Sequence, residues 1–366
     1  MRFASISING MMGLAAETEP GTFRALFRND PGYPGDLKQV IAGGEEALAR
    51  AYETLLSAQP FGSADFTLHP PIADPDKIIC VGLNYRDHTQ EVGFEQPEYP
   101  TLFARFSSSL VAAGDPVVCP DVSDQFDYEG ELVAIIGKAG RDIPLADALD
   151  HVAGYSVFND VSVRDYQFKT SQWTMGKNFD DTGAFGPVFV SASALPRGCR
   201  GLKLETRLNG VVVQSANTDS MVFDVAQQVS TISQTMTLSP GDLIVTGTPA
   251  GVGIARKPPL WMRAGDICEV DIYIMRVEQL YPVPLKALVQ ELGRFKNAEV
   301  VWCQEEPRNM GAWNFAENYI EWVLNQINAT HRRPRYAGRP ASAATASGLM
   351  SKHLGQLKAF LEEALG

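Results

Sequence analysis

Residues 126–137 read FDYEGELVAIIG. Glu129 and Glu131 stand two apart in a run that is otherwise mostly apolar. Side chains at i and i+2 share one face of a strand. The spacing therefore predicts two neighbouring carboxylates on a strand made of core material. Burying like charges together is costly unless a cation compensates. The face is either solvated or a cation site. Asp160, in VFNDVSVRDYQ (157–167), adds a third carboxylate after a second apolar strand. Three hard oxygen donors suit Mg²⁺, Mn²⁺ or Ca²⁺ and leave coordination positions for water and substrate.

Upstream, KIICVG (77–82) reads as a buried strand, followed by LNYRDHTQEVGF, a loop entering a short helix. There His88 and Glu91 are three apart, neighbours on one helical turn. A carboxylate beside an imidazole orients it and supports its action as a general base on water; the competing reading is a surface pair at a helix start. Downstream, Arg164 and Gln167 follow Asp160, and Lys177 lies in WTMGKNFDD. Such cations either grip a substrate carboxylate or an enolate, or serve as surface ion-pair partners. KLETRL, Asn209-Gly210 and VVVQS form a hairpin pattern. TGTPAGVG after residues 242–246 offers backbone N–H groups and Thr248 to an anion. Walker, GxGxxG and GxSxG motifs are absent.

The chain has 366 residues, is 45% hydrophobic and 20% charged, and carries a formal charge of −12. This reads as a globular protein with no affinity for nucleic acid or anionic membrane. No stretch is long and apolar enough to span a bilayer. Five scattered cysteines suggest neither a zinc ribbon nor a disulfide framework. The first residues lack a signal-peptide pattern, so the expected compartment is the cytoplasm. Charge is uneven: residues 272–366 hold 11 basic and 9 acidic side chains, against 20 and 34 before them. Three parts are expected: a small N-terminal module (1–68), a β-rich domain (69–271) and an α/β tail (272–366). Within the module, residues 36–58 have helical spacing broken at Gly43-Gly44. In the tail, helices are expected over 285–294, 313–327 and 349–365, a strand over 298–303, and a loop through RRPRYAGRPASAATASG. The fold class is α+β.

In order, NYRDH, FDYEGELVAIIG, YSVFNDVSVRDYQ, WTMGK, RLNGVVVQSANTDSMVF and LSPGDLIVTGTPAGVG resemble the fumarylacetoacetate hydrolase family. The resemblance covers about residues 70–271, and the N-terminal module resembles that of longer bacterial members. It implies a β-rich roll, usually a homodimer, with a Mg²⁺ or Mn²⁺ site. Glu129, Glu131 and Asp160 match the metal ligands, and His88 and Glu91 the water-activating dyad. Lys177 matches the catalytic, substrate-contacting lysine; Arg164, Gln167 and Thr248 match pocket positions. The expected activity is hydrolysis of a carbon–carbon bond in a small acylpyruvate-like 2-oxo acid. The alternatives are an isomerase, an oxaloacetate-type decarboxylase or tautomerase, a ureidoglycolate-type lyase, or a non-catalytic fusion. MRVEQLYPVP, NAEVVWCQEEPRNMGAWNF and RPRYAGRPASAATASG instead resemble the C-terminus of the thiamine-diphosphate-dependent component of 2-oxoglutarate dehydrogenase. The chain thus resembles a fusion joined near residue 272. The diphosphate-binding region is missing, so no 2-oxoglutarate dehydrogenase activity is expected of the tail.

Overall fold

In the computed structural model, which describes residues 1–19, 21–273, 283–293, 299–342, 355–357 and 359, the run 126–137 is not one strand. Phe126–Asp127 pairs with Ser162–Val163 in a two-stranded sheet. Gly130–Ile136, buried throughout, lies in the main sheet. Tyr128 and Glu129 make the crossing between them. Side-chain amides replace ladder bonds there: Glu129 N–H donates to Asn159 Oδ1 at 3.0 Å and Gly130 N–H to Gln214 Oε1 at 2.9 Å. Gly130 is needed for a close approach, because a Cβ there would fall 2.0 Å from Thr206 Oγ1. The single strand expected from alternation is thus corrected to two strands joined by a side-chain-bonded break. Periodicity cannot register partners that come from residues 159 and 214.

Gly130–Ile136 lies between Val152–Asp160 and Leu243–Val245, antiparallel to both. Val133 and Ile135 pack into one core and Leu132, Ala134 and Ile136 into another, which explains why the strand is apolar on both faces. Gly130 faces Asn159 and Glu131 faces Phe158. One step further, Asp160 N–H donates to the Glu129 carbonyl at 2.8 Å. That register puts Asp160 across from Glu129, with Glu131 two residues along.

The main sheet has thirteen strands and is mostly antiparallel, with parallel pairing of Leu243–Val245 to Ile78–Gly82 and of Gly183–Phe185 to Leu110–Ala112. Residues 1–68 contribute strands to this same sheet: Arg2–Ile8 pairs with Met11–Glu19 and with Phe189–Ser191. Their helices are Leu37–Ala42 and Gly44–Leu56, parted at Gly43. Asp36 and Gln39 form a reciprocal capping box at the first start. Val40, Ile41, Leu48 and Leu55 pack with Phe3, Leu14, Val133 and Ile135, each such side chain contributing roughly 1.5–3 kcal/mol of burial. The hairpin Lys203–Leu208/Val211–Asn217 turns at Asn209 (φ 52°) and Gly210 (φ 76°), and Cys268–Tyr273 adds its third strand.

The chain divides into two compact units, residues 1–273 and 274–366. In the second, Leu288 and Leu292 of helix Leu285–Leu292 share a core with Ile320, Val323 and Leu324 of helix Trp313–Gln326. Val301–Gln304 pairs in parallel with Arg335–Gly338. The latter replaces part of the loop expected from its Pro and Gly content. RYAG becomes a strand because Val301–Gln304 supplies its ladder. The helix expected over 349–365 lies largely outside the described residues. Among the described residues no helix is long and apolar enough to cross a membrane. The first unit is β-rich, with helices packed on the faces of its main sheet, an α+β fold.

Candidate active site

The register brings Glu129, Glu131 and Asp160 together. Each offers an oxygen within 4.8 Å of the others, and all three are buried. Three cations reach into the cluster. Lys177 closes the short helix Thr174–Lys177 and is 1% exposed. Its Nζ donates to Glu129 Oε2 and Asp160 Oδ2, both at 2.7 Å. Arg164 Nη1 pairs with Glu129 Oε1 at 2.6 Å, and Arg164 Nε with Asp127 Oδ2 at 2.8 Å. Arg105, at the end of strand Thr101–Arg105, donates to Asp160 Oδ1 and to Thr182 Oγ1.

These groups number four carboxylates (Asp127, Glu129, Glu131, Asp160) against three cations. The imbalance settles on Glu131. Burial, then Asp160 and Glu129 beside it, push its carboxyl well above the usual range. The Gly247 N–H donates to its Oε2. Glu129 goes the other way. Burial alone would raise it, but Lys177 and then Arg164 outweigh burial and bring it down to about 2. Lys177 is held above its ordinary value, because Asp160 and Glu129 overcome the desolvation that lowers it.

Across the cavity, His88 lies on helix Arg86–Glu91, 6% exposed, with Nδ1 3.0 Å from Glu91 Oε1. Both Glu91 oxygens accept the Gly251 N–H, at 2.9 and 3.0 Å. Gly251 has φ 109°, and a Cβ there would fall 2.1 Å from the Val213 carbonyl oxygen. Only glycine lets this backbone reach Glu91. The dyad is thus built from two distant segments, NYRDHTQE and TGTPAGVG.

A cavity of about 280 Å³ joins these parts. Glu129, Glu131, Arg164 and Lys177 line it with His88, Glu91, Gln167 and Thr248. Asp160 does not line it; it sits fully buried behind, held by Arg105 and Lys177. Gln167 Oε1 accepts from Arg164 Nη1 at 2.9 Å. The Thr248 hydroxyl donates to the Gly130 carbonyl at 3.0 Å and accepts from Gln214 Nε2 at 2.8 Å, so its proton is committed to the framework. Sequence reasoning passed over two residues. Asp127, which accepts the N–H groups of Gly253 and Ile254, has a faint signal as a third acid two before Glu129. Arg105, 2% exposed, had one signal: an arginine ending an apolar strand.

Residues 77–298 match the family model for the C-terminal domain of fumarylacetoacetate (FAA) hydrolases, and residues 262–365 the model for the 2-oxoglutarate dehydrogenase C-terminus. The chain therefore joins segments of two families, with the matches overlapping at 262–298. The curated protein named oxaloacetate tautomerase fahd2, mitochondrial, of Xenopus laevis is 42% identical over 256 residues, 69% of this chain and 80% of that protein. Oxaloacetate tautomerase YisK of Bacillus subtilis (strain 168) is 40% identical, covering 65% of this chain and 83% of that protein. Among solved structures, the fumarylacetoacetate hydrolase from psychrophilic Exiguobacterium antarcticum superposes with a TM-score of 0.64 at 37% identity, over 74% of this chain and 95% of that one. Maleylpyruvate hydrolase from Sphingobium sp. SYK-6, solved with manganese(II) and pyruvate, gives 0.60 at 29%, over 74% and 95%.

Proposed function

This chain belongs to the fumarylacetoacetate hydrolase family, and on that premise we propose that its first unit is a divalent-metal-dependent enzyme for small 2-oxo acids, with keto–enol tautomerisation of an oxaloacetate-like acid as its reaction. One observation carries the proposal: two carboxylates of a buried acidic triad, Glu129 and Glu131, with Asp160 close behind them, share one small cavity with a histidine–glutamate dyad. Relatives of about 40% identity that bear the tautomerase name, from frog and from Bacillus, favour this reaction over carbon–carbon hydrolysis. The hydrolytic expectation becomes the second reading, supported by the dyad and by the likeness to a maleylpyruvate hydrolase.

The donor set suits a hard cation. Three carboxylates converge, and the four acids of the cluster outnumber its three cations by one. Glu129, Glu131 and Asp160 would hold Mg²⁺ or Mn²⁺, which supplies Lewis-acid polarisation of the 2-oxo group and its carboxylate. The chain's own residues do the rest. His88, fixed through Nδ1 by Glu91, keeps Nε2 to accept a proton from C3 and to return one. Lys177 Nζ faces the negative charge that builds as the proton leaves C3. Arg164 and Gln167 orient the acid. In the second reading the same imidazole activates water toward a distal carbonyl. We retain a homodimer and a cytoplasmic setting within the proposal, although relatives in vertebrates carry the word mitochondrial in their names.

The test follows loss of enol absorbance and deuterium entry at C3 of oxaloacetate. With Mg²⁺, the protein should accelerate both, and His88→Ala should lose about 10²–10⁴-fold while still binding Mn²⁺. Cleavage of acetylpyruvate without oxaloacetate enolisation would replace tautomerisation by hydrolysis. Absence of both reactions, with melting unmoved by Mg²⁺, would leave a non-catalytic fusion.

A further inference from the structure

Lys257 lines the cavity and has no part in the chemistry above. Its neighbour Arg256 is bound into the framework: Nε donates to the Tyr128 hydroxyl at 3.2 Å, and Nη2 to the Val213 carbonyl at 2.7 Å. Lys257 is exposed and has no ion-pair or hydrogen-bond partner among the described residues. Its exposure places it at the mouth. At the floor, buried Arg164 (2% exposed) keeps an Nη2 with no partner. An unpaired guanidinium N–H out of reach of water is costly unless a ligand accepts it. The cavity therefore offers an unfilled donor at its depth and a second, unpartnered cation at its entrance. At about 280 Å³ it lies just below the roughly 300–1,000 Å³ typical of ligand pockets, which suits one short acid.

We propose that Lys257 receives the distal carboxylate of a dicarboxylic 2-oxo acid, making it the residue that selects diacids over monoacids. The inference rests on the 2-oxo acid reading and narrows its substrate class. The opposing feature is the aromatic rim: Phe94 and Phe168 also line the cavity and are 44% and 45% exposed. If they governed the mouth, a neutral or apolar tail would be preferred.

Calorimetry on the full-length, Mn²⁺-loaded protein compares malate with 2-hydroxybutanoate, which shares the 2-hydroxy acid head but lacks the distal carboxylate. The wild type should bind malate about tenfold more tightly, an effect between those of exposed and partly desolvated charged pairs. Lys257→Met should erase that preference, and Lys257→Arg should restore most of it. Because the side chain is exposed, melting of Lys257→Met should match the wild type. Equal binding of both acids by the wild type, a preference for 2-hydroxybutanoate, or a malate preference that survives in Lys257→Met overturns the assignment. In kinetics, oxaloacetate and its 4-methyl ester should diverge through KM, and Lys257→Met should close the gap. A protein that prefers malate through Lys257 yet fails to enolise oxaloacetate supports the diacid site while defeating the reaction.

Discussion

Replacing Lys177 by Met probes the charge balance of the site. The ammonium makes two contacts of 2.7 Å, to Glu129 and to Asp160, and is 1% exposed. Methionine fills similar volume and leaves four buried carboxylates facing two guanidinium groups. Breaking a buried pair from one side costs about 3–5 kcal/mol. The Glu129 carboxyl gives an independent measure: holding it from an ordinary 4.5 down to about 2 corresponds to ~3 kcal/mol of favourable interaction, with Lys177 first among the cations responsible. We expect metal-free Lys177→Met to lose about 3–5 kcal/mol at pH 7, a fall in Tm of roughly 6–20 °C for a unit of this size. The sign with pH follows. Glu129 has a depressed pKa, so its share of stability is complete above 4.5 and is lost as pH falls toward 2. Lys177 has a raised pKa, so its share is complete below its ordinary value of 10.5 and is lost only as pH rises from there through its folded value. The gap between wild type and variant should therefore shrink in acid. Mg²⁺ should raise the Tm of the variant more than that of the wild type, because the cation replaces missing positive charge. Circular-dichroism melting with and without Mg²⁺ measures all three. A variant that melts within about 2 °C of the wild type without metal, and gains no more from Mg²⁺, would refute this account.

Two further outcomes follow from particular residues. Burial, then Asp160 and Glu129, push the Glu131 carboxyl well above the usual range, and a metal requires it as carboxylate, so metal binding should be linked to proton release. Mn²⁺ affinity should weaken as pH falls from 7.5 toward 5.5, and Glu131→Gln should bind weakly with a flatter pH profile. Affinity that does not change with pH in the wild type would contradict this. Gly251→Ala forces a Cβ against the Val213 carbonyl at a φ of 109° and pulls the N–H off Glu91. It should cost about 1–3 kcal/mol in stability and lower kcat with a displaced pH profile while Mn²⁺ still binds. An unaltered profile would mean that Gly251 does not position the dyad.

Local features were legible because their causes are local. The Asn209-Gly210 turn, the helix break at Gly43 and the pairing of His88 with Glu91 depend on residues within a few positions. The apolar setting of Glu129, Glu131 and Asp160 marked them as suspicious before any fold was known. Arg105 and Asp127 were not legible as site residues, because their partners lie 55 and 37 positions away. The break at residues 128–129 was missed for the same reason: Asn159 and Gln214 cap it from other strands. In the tail, composition pointed to a loop where parallel pairing with Val301–Gln304 makes RYAG a strand.

By itself the sequence determined which groups were available: three acids in apolar strands, an imidazole with a carboxylate one turn on, a lysine in WTMGKNFDD, and a change of texture near residue 272. Spacing and composition are properties of neighbours, so they survive without a fold. Tertiary structure decided how those charges are shared. The antiparallel register set Asp160 opposite Glu129, and Arg105 drew Asp160 behind the cavity wall. Lys177 was placed between two acids, and Glu131 was left carrying the excess. Coulomb energies in a low-dielectric interior depend on distances of a few ångströms between residues far apart in the chain, and only the folded sheet sets those distances.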